Sequence, residues 1–329
     1  MNKLGKSIKK ILIVSGGRAD YDLLKPVILK LKKVKSLNIK IGITGSHLFQ
    51  KHEKYKNFIR DKLNINYKIK IPFQSDTNKS ILNFFSIGVI KFGKIFSKEN
   101  FDAMIVLGDR YEIFSAVISA GFYKLPIIHI SGGETTLGVI DEPIRHSITK
   151  FANFHFVTHQ TYKKRIIQLG ENPKYVFNYG APGIENIHKA KLIKKNKLEE
   201  MLNFKFAKRN LLVTYHPVTL EKETETKNFK NLLMAVKKLK NTKVIFTKSN
   251  ADNGGKNINV LIDKYVLENK ENSKSFVSLG QIKYLSLLKI VDGVVGNSSS
   301  GIIEAPSLHT GTINIGDRQL GRVQAKSII

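Results

Sequence analysis

Residues Met104 to Ile148 decide the fold. Met104-Ile105-Val106-Leu107 runs into Gly108-Asp109-Arg110-Tyr111-Glu112, and Pro126-Ile127-Ile128-His129-Ile130 runs into Ser131-Gly132-Gly133-Glu134. Asp141-Glu142-Pro143-Ile144-Arg145-His146 then opens a helix. Each apolar run reads as a buried strand, and each ends in a charged cluster. In an open parallel sheet the strand C-termini share one edge, where ligands bind, so both clusters are expected at a single cleft.

Strand and helix alternate outward from this stretch in both directions, the pattern of parallel strands with crossover helices. Upstream, Ile11 to Val14 meets Ser15-Gly16-Gly17-Arg18-Ala19-Asp20-Tyr21, with a helix expected over Leu23 to Val34. A strand over Ile39 to Thr44, a helix over His52 to Leu63, a short strand at Ile69 to Ile71 and a helix over Lys79 to Ser97 follow. Downstream, Phe154 to Val157 is a strand, Tyr162 to Leu169 is helical, and Tyr179-Gly180-Ala181-Pro182-Gly183 reads as a hinge. Beyond it the alternation restarts: strands at Leu211 to Tyr215, Val244 to Thr247, Ser275 to Val277, Gly293 to Gly296 and Thr312 to Ile315. Helices are expected over Phe229 to Leu239, Ile258 to Leu267, Ile282 to Lys289 and Ile302 to Ser307. At 329 residues the chain exceeds what one core usually fills. The expectation is an α/β protein of two doubly wound, Rossmann-like domains facing across a cleft, residues 1–178 and 179–329.

Composition narrows the class. Apolar content is 42%, and no apolar run approaches the roughly 20 residues of a membrane span. The nearest, Ile81 to Phe96, is broken by Asn83, Ser86, Lys91 and Lys94. Ile11 to Val14 is too short for a signal-peptide core, so a cytoplasmic enzyme is expected, with no membrane partner. The absence of cysteine excludes disulfides and thiolate metal sites. A net charge of +29 suits nucleic acid or an anionic small substrate. Because the lysines are scattered singly or in pairs without interleaved aromatics, a solvated surface is the better reading, with no nucleic-acid partner.

Glycines at a strand-to-helix turn let backbone N–H groups approach a phosphate, which suits both Gly16-Gly17 and Asn297-Ser298-Ser299-Ser300-Gly301. The second turn, with Glu304 one turn on and Arg318 after the next strand, is favoured for phosphate and ribose; a Ser-rich helix cap is its bland alternative. His216 precedes Pro217 at a strand end, where an imidazole can donate to a phosphate or to a leaving oxygen. Asp109, Glu134 and Asp141 are the acid–base candidates. On the helix, Arg145 stands at i+4 from Asp141 and His146 at i+4 from Glu142, so simple surface pairing competes with catalysis. Asp20-Tyr21-Asp22 has the spacing of a divalent-cation site, but helix capping by Asp22 explains it. No metal is expected.

Taken together, Gly17 to Tyr21, Leu107 to Glu112, His129 to Glu134, Asp141 to Lys150, His216-Pro217, Ser249 to Asp252, Gly296 to Pro306 and Gly316 to Arg322 resemble, in order, the hydrolysing UDP-N-acetylglucosamine 2-epimerases, those of the bacterial sialic acid pathway above all. The resemblance runs from about residue 9 to the last residue. It implies a GT-B fold, conversion of UDP-N-acetylglucosamine and water to N-acetylmannosamine and UDP by elimination to 2-acetamidoglucal and rehydration, no cofactor, and a homodimer or homotetramer. By motif, Arg18, His216, Asn250, Ser298, Ser299, Glu304 and Arg318 would hold UDP, with Arg110 near its phosphates; Arg145, His146 and Asp252 complete the expected binding set. Two departures stand out. Ser131 replaces the His or Glu common in relatives, and relatives continue beyond Arg322 with a further helical segment, so truncation is expected. Alternatives are a 2-epimerase of UDP-N,N'-diacetylbacillosamine and a GT-B glycosyltransferase.

Overall fold

The computed structural model describes residues 8–48, 58–59, 61–72, 77–136, 140–217, 222–249 and 255–329. For residues 18, 19, 186 and 222–225 it describes the backbone alone. The chain divides into two compact units, Met1–Glu134 with Asp141–Pro182, and Thr135–Ile140 with Gly183–Ile329. The divide thus falls at Pro182, a few residues beyond the expected one at Asn178.

The first unit runs β1 (Lys9–Ser15), α1 (Arg18–Leu31), β2 (Leu37–Ile43), β3 (Tyr67–Lys68), α2 (Asn78–Phe96), β4 (Ala103–Leu107), α3 (Tyr111–Phe122), β5 (Ile127–Ile130), α4 (Asp141–Phe151), β6 (Phe154–Val157), α5 (Gln160–Gln168) and β7 (Val176–Asn178). Its seven strands form one sheet in the order β3-β2-β1-β4-β5-β6-β7, every described pairing parallel. Order reverses between β1 and β4, which is where such sheets open a crevice at their C-terminal edge. Alternate residues of each strand feed opposite cores. Leu12, Val14, Met104 and Val106 pack with Phe84, Phe92 and Val117 on one face. Ile13, Ile41, Ile105 and Leu107 pack with Tyr21, Leu24 and Ile28 on the other. Helices therefore cover both faces, and strands buried on both faces need the unbroken apolar runs seen in the sequence.

The second unit runs α6 (Pro182–Lys189), α7 (Lys195–Leu202), β8 (Arg209–Thr214), α8 (Lys222–Lys237), β9 (Thr242–Thr247), α9 (Gly255–Glu268), β10 (Ser273–Phe276), α10 (Gln281–Ile290), β11 (Gly293–Gly296), α11 (Ser299–Ser307) and β12 (Gly311–Asn314). The strand order is β10-β9-β8-β11-β12, again parallel in every described pairing. Leu212, Ile245 and Val294 enter one core and Val213, Val244, Phe246 and Val295 the other. Both units are doubly wound, as the sequence led one to expect.

Several element boundaries differ from that reading. Helix α1 begins at Arg18, directly after Gly17, so Asp22 lies inside the helix and cannot be its cap. Ile69 and Ile71 are buried, yet the strand pairing is at Tyr67–Lys68, since burial alone does not make a ladder. Helices α6 and α7 were not expected. Pro182, read as part of a hinge, occupies the first position of α6, where its missing N–H has no intrahelical partner to lose. Helix α11 starts at Ser299, three residues earlier than expected, with Ser298 as its cap. Most of the expected helix from His52 to Leu63 lies outside the described residues.

Candidate active site

At the C-terminal edge of the first sheet, β4 gives way to Gly108 and Asp109, and β5 to the turn carrying Glu134. Gly108 has φ +79, and a Cβ there would meet nothing within 4 Å. Conformation, not space, is the reason for glycine at this point. The next turn contains Ser131 at φ +63, a left-handed conformation that strains a residue with a Cβ. Glu134 is buried, and its Oε1 accepts from the Thr158 hydroxyl at 3.2 Å.

Arg145 organises this cluster. Its side chain is 1% exposed. Nε donates to Asp109 Oδ2 at 2.9 Å, and Nη2 donates to the same oxygen. Nη1 donates to Glu142 Oε2 at 2.7 Å and to the Glu134 carbonyl at 2.9 Å. Burial alone would lower the guanidinium pKa, but Asp109, Glu134 and Glu142 together hold it above its ordinary value. Every nitrogen of the fork is thus engaged within the protein. Arg145, expected among the binding residues and as a partner of Asp141, ties together Asp109, Glu142 and the Glu134 turn. His146 does pair at i+4, with Nε2 3.0 Å from Glu142 Oε1. Asp141 is the first residue of α4 and is half-buried.

Arg110 caps α3 and turns back on its own helix, with Nε 3.2 Å and Nη2 3.3 Å from the Glu112 carboxylate. Beside them lies Asp20, weighed in the sequence only for the spacing of a divalent-cation site. Its Oδ2 accepts from the Gly16 N–H at 3.1 Å. Burial pushes its pKa from 3.8 to about 7, with Arg110 and the Gly16 N–H opposing and Glu112 and Asp109 adding to the rise. Sequence alone showed an acid after a glycine turn, in Asp-x-Asp spacing with Asp22. The neighbouring charges come from a strand end that lies far off in the chain.

In the second unit, Asn297 joins two strand ends. Its Oδ1 accepts from the His216 N–H at 2.7 Å, and its Nδ2 donates to the His216 carbonyl at 2.7 Å. This fixes His216 at the end of β8, where its buried ring sets Nδ1 3.3 Å from Ser249 Oγ. The Asn297 carbonyl in turn accepts from Arg318 Nη1 at 3.1 Å and Gln319 Nε2 at 2.8 Å. Ser298 Oγ caps α11 by accepting from the Ser300 N–H at 3.3 Å. The buried Tyr284 hydroxyl donates to Ser300 Oγ at 2.8 Å; burial and then Glu304 drive the phenol pKa well up. His216, Ser298, Ser299 and Arg318 therefore gather at one sheet edge, with Glu304 one turn along α11. Asn297 was read beforehand only as the first residue of the phosphate turn, and Gln319 and Tyr284 were not singled out, because their roles depend on partners distant in sequence. Arg18 is the first residue of α1, its side chain undescribed, and Asn250 and Asp252 lie outside the described residues.

Two all-parallel, doubly wound units place the chain among α/β proteins of the GT-B class. The UDP-N-acetylglucosamine 2-epimerase family model matches residues 29–329. The GDP/UDP-N,N'-diacetylbacillosamine 2-epimerase (hydrolyzing) of Campylobacter jejuni is 41% identical over 98% of this chain and 84% of that protein. Polysialic acid biosynthesis protein P7 of Escherichia coli is 40% identical over 98% of this chain and 82% of its own length. A solved UDP-GlcNAc 2-epimerase from Neisseria meningitidis bound to UDP-GlcNAc superposes with a TM-score of 0.79 at 20% identity, covering 94% of this chain and 83% of that one. The chain belongs to the UDP-N-acetylglucosamine 2-epimerase family.

Proposed function

We propose that the protein is a hydrolysing 2-epimerase that converts UDP-N-acetylglucosamine and water to N-acetylmannosamine and UDP. The observation that carries this reading is the Asp109–Arg145–Glu142 cluster beside the Glu134 turn, in a chain of this family. A transferase needs no such set of acids at the sugar.

The C2 proton of the sugar is too weakly acidic for a carboxylate to remove unaided. Cleavage of the C1–O bond runs ahead, building positive character at the ring and negative charge on the departing UDP. The UDP falls to the second unit, where the start of α11, Ser298, Ser299, His216 and Arg318 supply donors and the partial positive charge of a helix N-terminus. Donors set in advance where charge develops are usually the largest catalytic contribution. The proton steps fall to Asp109, Glu134 and Asp141. One carboxylate takes the C2 proton as UDP leaves, giving 2-acetamidoglucal. Water then adds at C1 while a proton returns to C2 from the opposite face. Both described contacts of Arg145 with Asp109 fall on Oδ2, so the arginine holds that carboxylate in one orientation without closing around both oxygens.

A second substrate, UDP-N,N'-diacetylbacillosamine, is favoured by the names of relatives 41% and 31% identical to this chain. Incubation with each sugar nucleotide in deuterated water, followed by NMR, tests the proposal. Release of UDP with deuterium at C2 of the free mannosamine product is expected, and the ratio of kcat/KM values chooses between the sugars. UDP release only when an acceptor sugar or lipid is supplied overturns it. Asp109→Asn should keep UDP affinity and lose turnover, as checked by calorimetry and the same assay.

A further inference from the structure

His129 is a fully buried imidazole in β5 that the proposed chemistry does not use. Its Nε2 lies 2.8 Å from the carbonyl of Gly108. A carbonyl can only accept, so Nε2 carries the proton and Nδ1 is the bare nitrogen. Nδ1 in turn faces the Thr149 hydroxyl at 3.3 Å, whose single proton it shares with the Arg145 carbonyl at 3.1 Å. One ring therefore touches the peptide immediately before Asp109 and, through Thr149, the turn of α4 that carries Arg145 and Glu142.

We infer that His129 is a positioning residue for Asp109, fixing the Gly108–Asp109 peptide so that the carboxylate meets the Arg145 fork and the sugar in one orientation.

The geometry is over-determined in the way such a role needs. At φ +79 Gly108 gains conformational freedom from having no Cβ, so something else must choose its peptide direction. Its N–H donates to the Ile130 carbonyl at 3.0 Å and its carbonyl accepts from His129, which pins the peptide planes on both sides of its Cα. The ring packs close against Gly132, where a Cβ would lie 2.8 Å from Nδ1 and 3.1 Å from the Thr149 hydroxyl, so only glycine leaves room for it. That contact also sets the ring directly under the turn leading to Glu134. Burial keeps the imidazole neutral, pulling its pKa down to about 4 against the Gly108 carbonyl, with His155 and Arg145 lowering it and Asp109 raising it. A neutral donor suits a carbonyl and introduces no second cation beside Arg145.

This inference rests on Asp109 being a proton-handling group, and the test separates the two. Gln carries an amide nitrogen at the reach of Nε2, whereas Asn carries one only at the reach of Nδ1. His129→Gln should therefore keep kcat within about threefold of the parent, and His129→Asn should lose kcat by roughly 10- to 100-fold, the penalty of a misoriented reacting group. KM and the dissociation constant for UDP should stay within about twofold in both. The acid limb of the kcat profile should not move in the Gln variant, since the imidazole carries no proton exchange near neutral pH. Equal losses in Gln and Asn, a matching loss of UDP affinity, or a shifted acid limb overturns the inference. If the Asn variant does not fold, Thr149→Val carries the test. Loss of the hydroxyl that seats Nδ1 should lower kcat by about 3- to 10-fold with UDP affinity intact, and unchanged kcat is the adverse result. If Asp109→Asn keeps turnover, the underlying reading fails, whatever His129 does; if it loses turnover while His129→Asn keeps it, the His129 inference alone fails.

Discussion

Asp20→Asn should stabilise the protein at alkaline pH and leave it unchanged in acid. The wild-type carboxyl is 8% exposed and shares its corner with Glu112 and Asp109. Its pKa rises from 3.8 in the unfolded chain to about 7 in the fold, chiefly through burial. Between those values the folded state holds a proton that the unfolded state has lost, so stability falls as pH rises. Well below pH 3.8 both states are protonated and the group contributes nothing. Above pH 7 both are ionised and the penalty is complete. Each tenfold change in proton affinity corresponds to roughly 1.4 kcal/mol, which puts the full penalty on the order of 4 kcal/mol as an upper bound. An asparagine carries no charge and retains an oxygen to accept the Gly16 N–H, now bonded at 3.1 Å. Urea unfolding of parent and variant at pH 8 and pH 4.5 measures the effect. The variant should lead by about 2–4 kcal/mol at pH 8, and the lead should shrink to about 1 kcal/mol at pH 4.5. A difference independent of pH, or one that grows in acid, refutes the reasoning. The same proton governs Arg110, because ionised Asp20 sets a second carboxylate beside a guanidinium already paired with Glu112. Affinity for the anionic substrate should consequently weaken from pH 6.5 to 8 in the parent and less so in the variant.

Arg145→Met leaves Asp109 and Glu142 without their shared cation and should lower stability by about 3 kcal/mol, read from urea midpoints, with turnover lost. Gly108 and Gly296 should respond differently to alanine. Gly108→Ala meets open space and costs only the backbone strain of a positive φ, about 1–2 kcal/mol. A Cβ on Gly296 would lie 2.0 Å from the Thr214 carbonyl oxygen, so Gly296→Ala should not yield a cooperatively melting second unit in calorimetry. Tyr284→Phe removes the donor to Ser300 Oγ and should weaken UDP binding by about fivefold in titration calorimetry, with kcat at saturation little altered.

The doubly wound plan was legible because strands buried on both faces have to be apolar at consecutive positions, and Ile11 to Val14, Met104 to Leu107 and Val244 to Phe246 are. Local pairs were legible for a similar reason: His146 reaches Glu142 because i and i+4 share a helix face. The same rule could not show the long-range partner of Arg145. Its main partner, Asp109, is 36 positions away and comes within reach only because β4 and β5 are neighbours. Asn297 is the parallel case in the second unit. Its side chain bonds a backbone 81 positions distant, and backbone groups leave no trace in the identity of the residue that bears them. His129 shows a third limit. In a strand of isoleucines it reads as a satisfied core histidine, which it is; that the group satisfying it is the peptide before Asp109 is information about register, fixed by the Val106 to His129 pairing.

The two sheet edges handle charge in opposite ways, and the division of labour in the proposed reaction follows from that. In the first unit the cations are turned inward on acids, Arg145 on Asp109 and Glu142, and Arg110 on Glu112. Such a cluster orients carboxylates well, with Arg145 donating to Asp109 and Glu142 at once. In the second unit the described side chains at the edge bond mostly to backbone and hydroxyl groups, Asn297 to His216, Arg318 and Gln319 to Asn297, Tyr284 to Ser300. These described contacts shape the start of α11, whose partial positive charge suits an anion. Proton transfer needs acids whose protonation states differ, and departure of UDP needs donors that are not already neutralised. In the proposed reaction, exchanging the acids of one unit for amides should therefore spare nucleotide binding, while removing the hydroxyls of the other should not.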